Sequence, residues 1–234
     1  MRTLLLFLPV LMLSAQTAPA PKAPTPVKTA SSAKAAPVAA KTAPAAAPAK
    51  NYKEIGSPTA TVTMEAYTDY ECPHCARFFK EFMPQFTKDY IQTGKVKFLH
   101  RDFPLPMHTH GQIAALFANA AGEAGLYEIA VNQIFNTQDI WGMYGKNTGD
   151  IDGELSKVIP ADAMKKIRAL VKEDTHLDEG TKGDVTMGQY MDHINQTPTI
   201  VIVGKNGKRE LLTSLLELPY ATFRKYLDGK ISGQ

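Results

Sequence analysis

Cysteine is scarce in this chain, with Cys72 and Cys75 the only two in 234 residues. That count excludes a framework of several disulfides and a four-cysteine zinc site. After the first 15 positions no run of about 20 apolar residues occurs, which excludes a transmembrane helix there. Acid is absent from residues 1–50, where Arg2, Lys22, Lys28, Lys34, Lys41 and Lys50 supply six positive charges. The overall +3 therefore leaves 20 basic and 23 acidic side chains in the other 184 residues. Such a balance has no electrostatic footprint for nucleic acid. Residues 16–50 also lack any aromatic and consist almost entirely of Ala, Pro, Thr, Ser and Lys. A segment of that composition cannot offset its ordering entropy by burial, so it is expected to be a disordered spacer with polyproline II character.

What is present has the proportions of an ordinary globular protein, 44% apolar and 21% charged. Arg2, an apolar core from Leu4 to Leu13 and a small-residue exit through Ala18 are the parts of a secretory signal. The competing reading, a buried helix, is interrupted by Pro9. The expected organisation is a signal peptide at 1–20, a linker at 21–50 and one folded domain at 51–234. The product is expected to be exported to a periplasm or other extracytoplasmic space, free or tethered by an uncleaved signal.

Within the folded part, residues 59–68 (TATVTMEAYT) are rich in β-branched and aromatic types and read as a strand. Cys72-Pro73-His74-Cys75 follows at once. Phe78, Phe82, Phe86 and Tyr90 then recur every four residues as a helical stripe, with Pro84 expected to kink it. Residues 95–100 (KVKFLH) read as a second strand, completing a right-handed βαβ unit. Helical patterns cover 111–138, broken at Gly122 and Gly125, then 160–172 and about 180–193. Residues 199–203 (TIVIV) suit a central strand, an Asn206-Gly207 turn leads to a return strand at 209–213, and 218–227 closes as a helix. The fold class is α/β.

The Cys-Pro-His-Cys tetrad sits where a strand ends and a helix begins. The first helical turn offers unpaired N–H groups and about half a unit of positive charge, both of which favour a thiolate at Cys72. Pro73 occupies a position where its missing N–H costs nothing. His74 adds a hydrogen bond or, when protonated, a charge. Cysteines so placed titrate at roughly 3.5 to 7.5 instead of 8.5. Thiolate exists only in the reduced form, so each unit of that shift makes the disulfide more oxidising. About three units correspond to about 4 kcal/mol, or on the order of 90 mV. Three other readings compete, of which chance occurrence is disfavoured by the strand-to-helix position and the secretion signal. A structural disulfide closing about four residues would constrain the unfolded chain by only about 2 kcal/mol. A metal site, copper-handling variants included, would draw on Cys72, His74 or Cys75 with His108 and His110, but CxxC is half a zinc site and no second pair completes it.

The chain also resembles the DsbA-like branch of the thioredoxin superfamily over roughly 55–229. Gly56-Ser57-Pro58-Thr59-Ala60 with Val62-Thr63 is similar to that branch's lead-in, and Asp69-Tyr70-Glu71-Cys72-Pro73-His74-Cys75 to its active-site signature. Arg101-Asp102-Phe103-Pro104-Leu105 resembles the end of its second strand, and Gln196-Thr197-Pro198-Thr199 its cis-proline loop. The resemblance implies a thioredoxin fold with a helical insertion at about 106–193. It implies an exposed nucleophile at Cys72, a buried resolving Cys75, a cis-proline at Pro198 and a substrate-facing backbone at Thr197. No cofactor beyond the redox-active cysteine pair is implied. Partners would be exported proteins carrying thiols and a membrane redox partner of the DsbB or VKOR type. Phe103 and Leu105 are expected mainly in core packing, with a peptide groove as their other use.

Two positions depart from the family. Six residues before the first cysteine, where many relatives carry a proton-shuttling acid, stands Ala66. Glu65 precedes it, and strand alternation turns Glu65 to the other face unless a bulge intervenes. Thr197 resembles the isomerase-type DsbC and DsbG, whose dimerisation domain residues 16–50 cannot supply. The expectation is a monomeric oxidase, with a reductase or isomerase as the alternative and a metallochaperone module behind it.

Overall fold

The structure is a computed structural model that describes residues 51–146, 149–173 and 176–233. The expected signal and linker lie outside the described residues. Five strands form one sheet in the order β1-β3-β2-β4-β5: β1 (Glu54–Ile55), β2 (Val62–Thr68), β3 (Val96–Asp102), β4 (Thr199–Val203) and β5 (Arg209–Leu212). β2 and β3 are parallel, and the pairs β1–β3, β2–β4 and β4–β5 are antiparallel. The connection between the parallel pair is the helix that follows the cysteines. This is the thioredoxin-like α/β arrangement expected.

That helix runs without a break through α1 (Pro73–Arg77), a π turn (Phe78–Phe82), α2 (Met83–Phe86) and a second π turn (Thr87–Ile91). A spacing of four drifts around a pure α-helix of 3.6 residues per turn. The wider π turns take up that drift, so Phe78, Phe82, Phe86 and Tyr90 stay buried on one face. Successive rings stack at centroid distances of 5.3, 5.6 and 5.4 Å. Pro84, expected as the kink, falls in the first turn of α2 directly after a π turn. A missing N–H is tolerated there.

Between β3 and β4 the chain forms α3 (Gly111–Glu123), α4 (Tyr127–Asn136), α5 (Gln138–Trp141), α6 (Ile151–Leu155), α7 (Ala161–Glu173) and α8 (His176–Met191). A 3-10 turn (Leu215–Glu217) and α9 (Tyr220–Ser232) close the described chain. One sheet face buries Met64, Ala66, Phe98, Ile200 and Ile202 against Phe78, Phe82, Phe86 and Phe223. The opposite face packs Tyr67 and Val201 against Phe103 and Ile194. Leu105 lies against the same cluster, so Phe103 and Leu105 serve the core.

Alternation decides the two acid-related positions as expected. Ala66 lies fully buried on the side of the cysteine helix, beside His100 in the β3 register. Glu65 faces the other way, accepting from Arg101 Nε at 3.0 Å and from Arg209 Nη1 at 3.1 Å. It belongs to a buried ionic network that also holds Asp184 and Asp192.

Candidate active site

The strand-to-helix turn brings the two sulfurs to the start of α1. Cys72 is the N-cap residue, with extended φ and ψ of −75° and 122°, and Pro73 occupies the first helical turn. The Cys72 carbonyl accepts the N–H groups of Cys75 at 3.0 Å and Ala76 at 3.1 Å, while its own N–H reaches the Asp69 carbonyl at 3.1 Å. Neither cysteine is joined in a disulfide. Cys75 is fully buried, and the Asp69 N–H donates to its Sγ at 3.4 Å.

The two thiols differ sharply in acidity. Cys72 falls from the usual 9.0 to about 5, chiefly through hydrogen bonding from the Cys75 side chain. The backbone N–H groups of Cys75 and His74 and the Thr197 hydroxyl add to this, and burial opposes it. Burial, followed by the neighbouring Cys72 sulfur, pushes Cys75 well above its ordinary value. His74 contributes through its main-chain N–H; its side chain and that of Pro73 are exposed.

Cys72 departs from the exposed nucleophile of the expectation. Its relative exposure is only 5%, because the 197–198 loop crosses it and its Sγ meets the Thr197 carbonyl at 3.4 Å. The Thr197–Pro198 bond is cis. A cavity of about 200 Å³ opens beside the turn, lined by His74, Arg77, Thr197, Pro198, Ser214 and Leu216, among others.

Three supporting side chains had no assigned role at the level of sequence. Asp69, inside the signature, accepts from the Glu71 N–H at 2.8 Å and the Leu105 N–H at 2.6 Å, and pairs with His108 Nδ1 at 2.6 Å. Burial nevertheless pushes its carboxyl up. Glu71 takes the His110 N–H at 2.6 Å, His110 Nδ1 at 2.7 Å and the Met143 N–H at 2.7 Å. Burial would raise its pKa, but these bonds outweigh it and lower it. Gln138 Nε2 donates to the carbonyls of Tyr70 at 2.7 Å and Cys72 at 3.0 Å. The only signal of these pairs in the sequence is the matched spacing of Asp69-x-Glu71 and His108-x-His110. His108 and His110, the metal ligands of the alternative reading, are thus each engaged by a carboxylate. Among the described residues no group of three or more His, Cys, Asp or Glu is disposed to hold a metal ion.

A family model described as thioredoxin matches residues 49–217, well over half of the chain. The chain belongs to this thioredoxin family. Disulfide bond formation protein D of Bacillus subtilis is 27% identical over 165 residues, covering 67% of this chain and 69% of that protein. A Rickettsia conorii relative, provisionally named a protein-disulfide oxidoreductase, is 29% identical over 93 residues, which are 39% of this chain and 32% of the relative. The match thus spans about a third of the length of that relative. Among solved structures, alpha-DsbA1 of Wolbachia pipientis superposes with a TM-score of 0.61 at 23% identity, covering 77% of this chain and 91% of that one. Oxidised BdbD of Bacillus subtilis gives 0.60 at 20% identity, covering 77% and 92%. The structural neighbours of this thioredoxin-family chain are therefore of the DsbA type, and at these identities they establish its fold.

Proposed function

We propose that the chain is an exported thiol:disulfide oxidoreductase that donates a Cys72–Cys75 disulfide to proteins carrying free thiols. The observation that carries this reading is the unequal pair of sulfurs: an N-cap cysteine lowered to about 5 beside a fully buried partner pushed the other way. A disulfide between them is poorly stabilised, because reduction releases a sulfur that the helix start favours as thiolate.

A substrate thiolate attacks Cys72 Sγ, forming a mixed disulfide and expelling Cys75. A second substrate thiolate then attacks the substrate sulfur and expels Cys72, so the substrate leaves oxidised and the enzyme reduced by two electrons. In this reading an extended substrate segment pairs with the Thr197 backbone. Tyr70, Glu71 and Gln138 hold the turn while Cys72 and Cys75 exchange partners. The names of the relatives support this activity, and reoxidation falls to a membrane partner of the DsbB or VKOR type. The site lies outside the cytoplasm in this reading, in keeping with the signal-like N-terminus. Among the described residues no helix is long and apolar enough to cross a membrane.

The test is direct. The oxidised protein is mixed with reduced, unfolded ribonuclease, and the pH dependence of Cys72 alkylation is followed in the reduced protein. Ribonuclease disulfides are expected to form, an alkylation midpoint is expected near pH 5, and Cys72→Ala is expected to abolish the transfer. A midpoint near that of an ordinary thiol, with a strongly reducing glutathione equilibrium, would replace the oxidase by a reductase.

A further inference from the structure

Cys75 poses a problem that Cys72 does not. In the first step the electron pair of the broken S–S bond passes to Cys75 Sγ, which must leave as a thiolate. That sulfur is fully buried, away from solvent. Departure is faster for a leaving thiolate of lower pKa, and burial pushes the Cys75 thiol upward. A main-chain donor is aimed at it: the Asp69 N–H, 3.4 Å away.

What fixes that N–H is the side chain of the same residue. The Asp69 carboxylate is completely buried and held on both oxygens. Oδ1 accepts from the Glu71 N–H, and Oδ2 from the Leu105 N–H and His108 Nδ1. On its remaining side lies the first residue of α3. Gly111 is packed so closely that an added Cβ would stand 2.6 Å from Asp69 Oδ1. The carboxylate therefore sits at the positive end of a 13-residue helix, where negative charge is favoured. Main chain and side chain of one residue thus join the sulfur pair to the 105–111 segment.

We propose that Asp69 is a positioning residue for disulfide exchange: its clamped carboxylate holds its own N–H on Cys75 Sγ and so stabilises the departing thiolate. The inference rests on the oxidoreductase reading and assigns a role inside it. The step balances as follows. The substrate thiol gives its proton to solvent and attacks Cys72 Sγ, the Cys72–Cys75 bond breaks, and Cys75 takes the electron pair. Cys75 later takes up one proton from solvent, so the mixed disulfide stands beside a Cys75 thiol. The Asp69 N–H donates throughout and transfers nothing.

This role separates rate from equilibrium. Cys75 is protonated in the reduced enzyme at neutral pH, so weakening the donor barely alters the free energy of either stable state. It raises the barrier in both directions. The full chain is oxidised and its reduction by excess dithiothreitol is followed in a stopped-flow instrument, alongside its glutathione equilibrium and the alkylation pKa of Cys72. Asp69→Ala removes the clamp. Gly111→Ala keeps the carboxylate but displaces it, and serves if the first variant does not fold. Asp228→Asn, a change on α9 at a carboxylate that accepts from the Tyr90 hydroxyl, controls for general loss of stability.

Misaligning one preorganised donor is expected to slow reduction about tenfold in both variants, with the glutathione equilibrium held within about twofold. The Cys72 pKa and the Asp228→Asn rate should match the unaltered protein. Folded variants that exchange at the unaltered rate would overturn the proposal. So would a slowed rate accompanied by an equal shift in equilibrium, since the carboxylate would then be acting on Cys72. If the unaltered protein itself fails to exchange with dithiothreitol, the oxidoreductase reading falls instead.

Discussion

A thiolate at Cys72 needs donors, and the turn supplies them from two directions. Below it are the N–H groups of His74 and Cys75, fixed by the helix and independent of side-chain identity. Across from it is Thr197, whose hydroxyl lies near enough to lower both sulfurs although its buried Oγ1 has no hydrogen-bond partner. An orphaned buried hydroxyl is costly unless something uses it, and a charged sulfur is the group available to do so. Thr197→Val keeps the shape and removes the donor. Its expected effect is a Cys72 pKa raised by about one unit, read from thiolate absorbance against pH. The glutathione equilibrium should move toward a less oxidising disulfide, by on the order of 30 mV for each unit of pKa, while the Thr197 carbonyl still meets Cys72. An unchanged pKa would assign the hydroxyl to loop packing alone.

At the scale of elements, the cysteine helix shows how a side-chain pattern can override regular geometry. Phe82 lies between Phe78 and Phe86 and also meets the rings of Tyr220 at 5.5 Å and Phe223 at 5.2 Å. It is one of the rings through which α9 and the cysteine helix touch, beside Phe86. Phe82→Ala is expected to cost about 3 kcal/mol, seen as a lower urea midpoint at constant m-value. Its sulfurs belong to a different cluster, so the Cys72 pKa should stay near 5. The stripe, the β4 run and the tetrad were legible because each is local: period, propensity and a helix start are read within one window. Other features were not. β1 has two residues and no alternation, and α6 is a five-residue helix announced only by its Asp150 cap. π turns have no composition of their own. The partners of Asp69 and Glu71 arrive from up to 72 residues away, so no spacing within the tetrad announces them. The resemblance implied an exposed Cys72, and no local pattern could correct it, since the loop that covers Cys72 returns 125 residues later.

Over the whole molecule, the redox state of two atoms is coupled to folding stability through pH. In the reduced protein the folded Cys72 gives up its proton near pH 5, whereas the unfolded chain keeps it until roughly pH 8.5. A depressed folded pKa stabilises the folded state above the unfolded value and loses that contribution as pH falls through the folded one. The contribution is therefore absent below about pH 5, grows through neutrality and is complete near the unfolded pKa. The disulfide form has no such proton to release. Buried His100 is held down to about 4 by its burial and penalises both redox forms equally in acid, so it cancels in their difference. The raised pKa of Cys75 acts only above the unfolded thiol value, outside this window. The stability of the reduced form relative to the oxidised one is thus expected to rise between pH 4.5 and 7.5. Allowing for the solvent that reaches the turn, the gain is on the order of 2 kcal/mol, about 4–8 °C in the difference of melting temperatures. Calorimetry of both forms at the two pH values measures it directly. A difference that stays flat would mean that Cys72 is a thiol at neutral pH, and the oxidising disulfide would lose its physical cause.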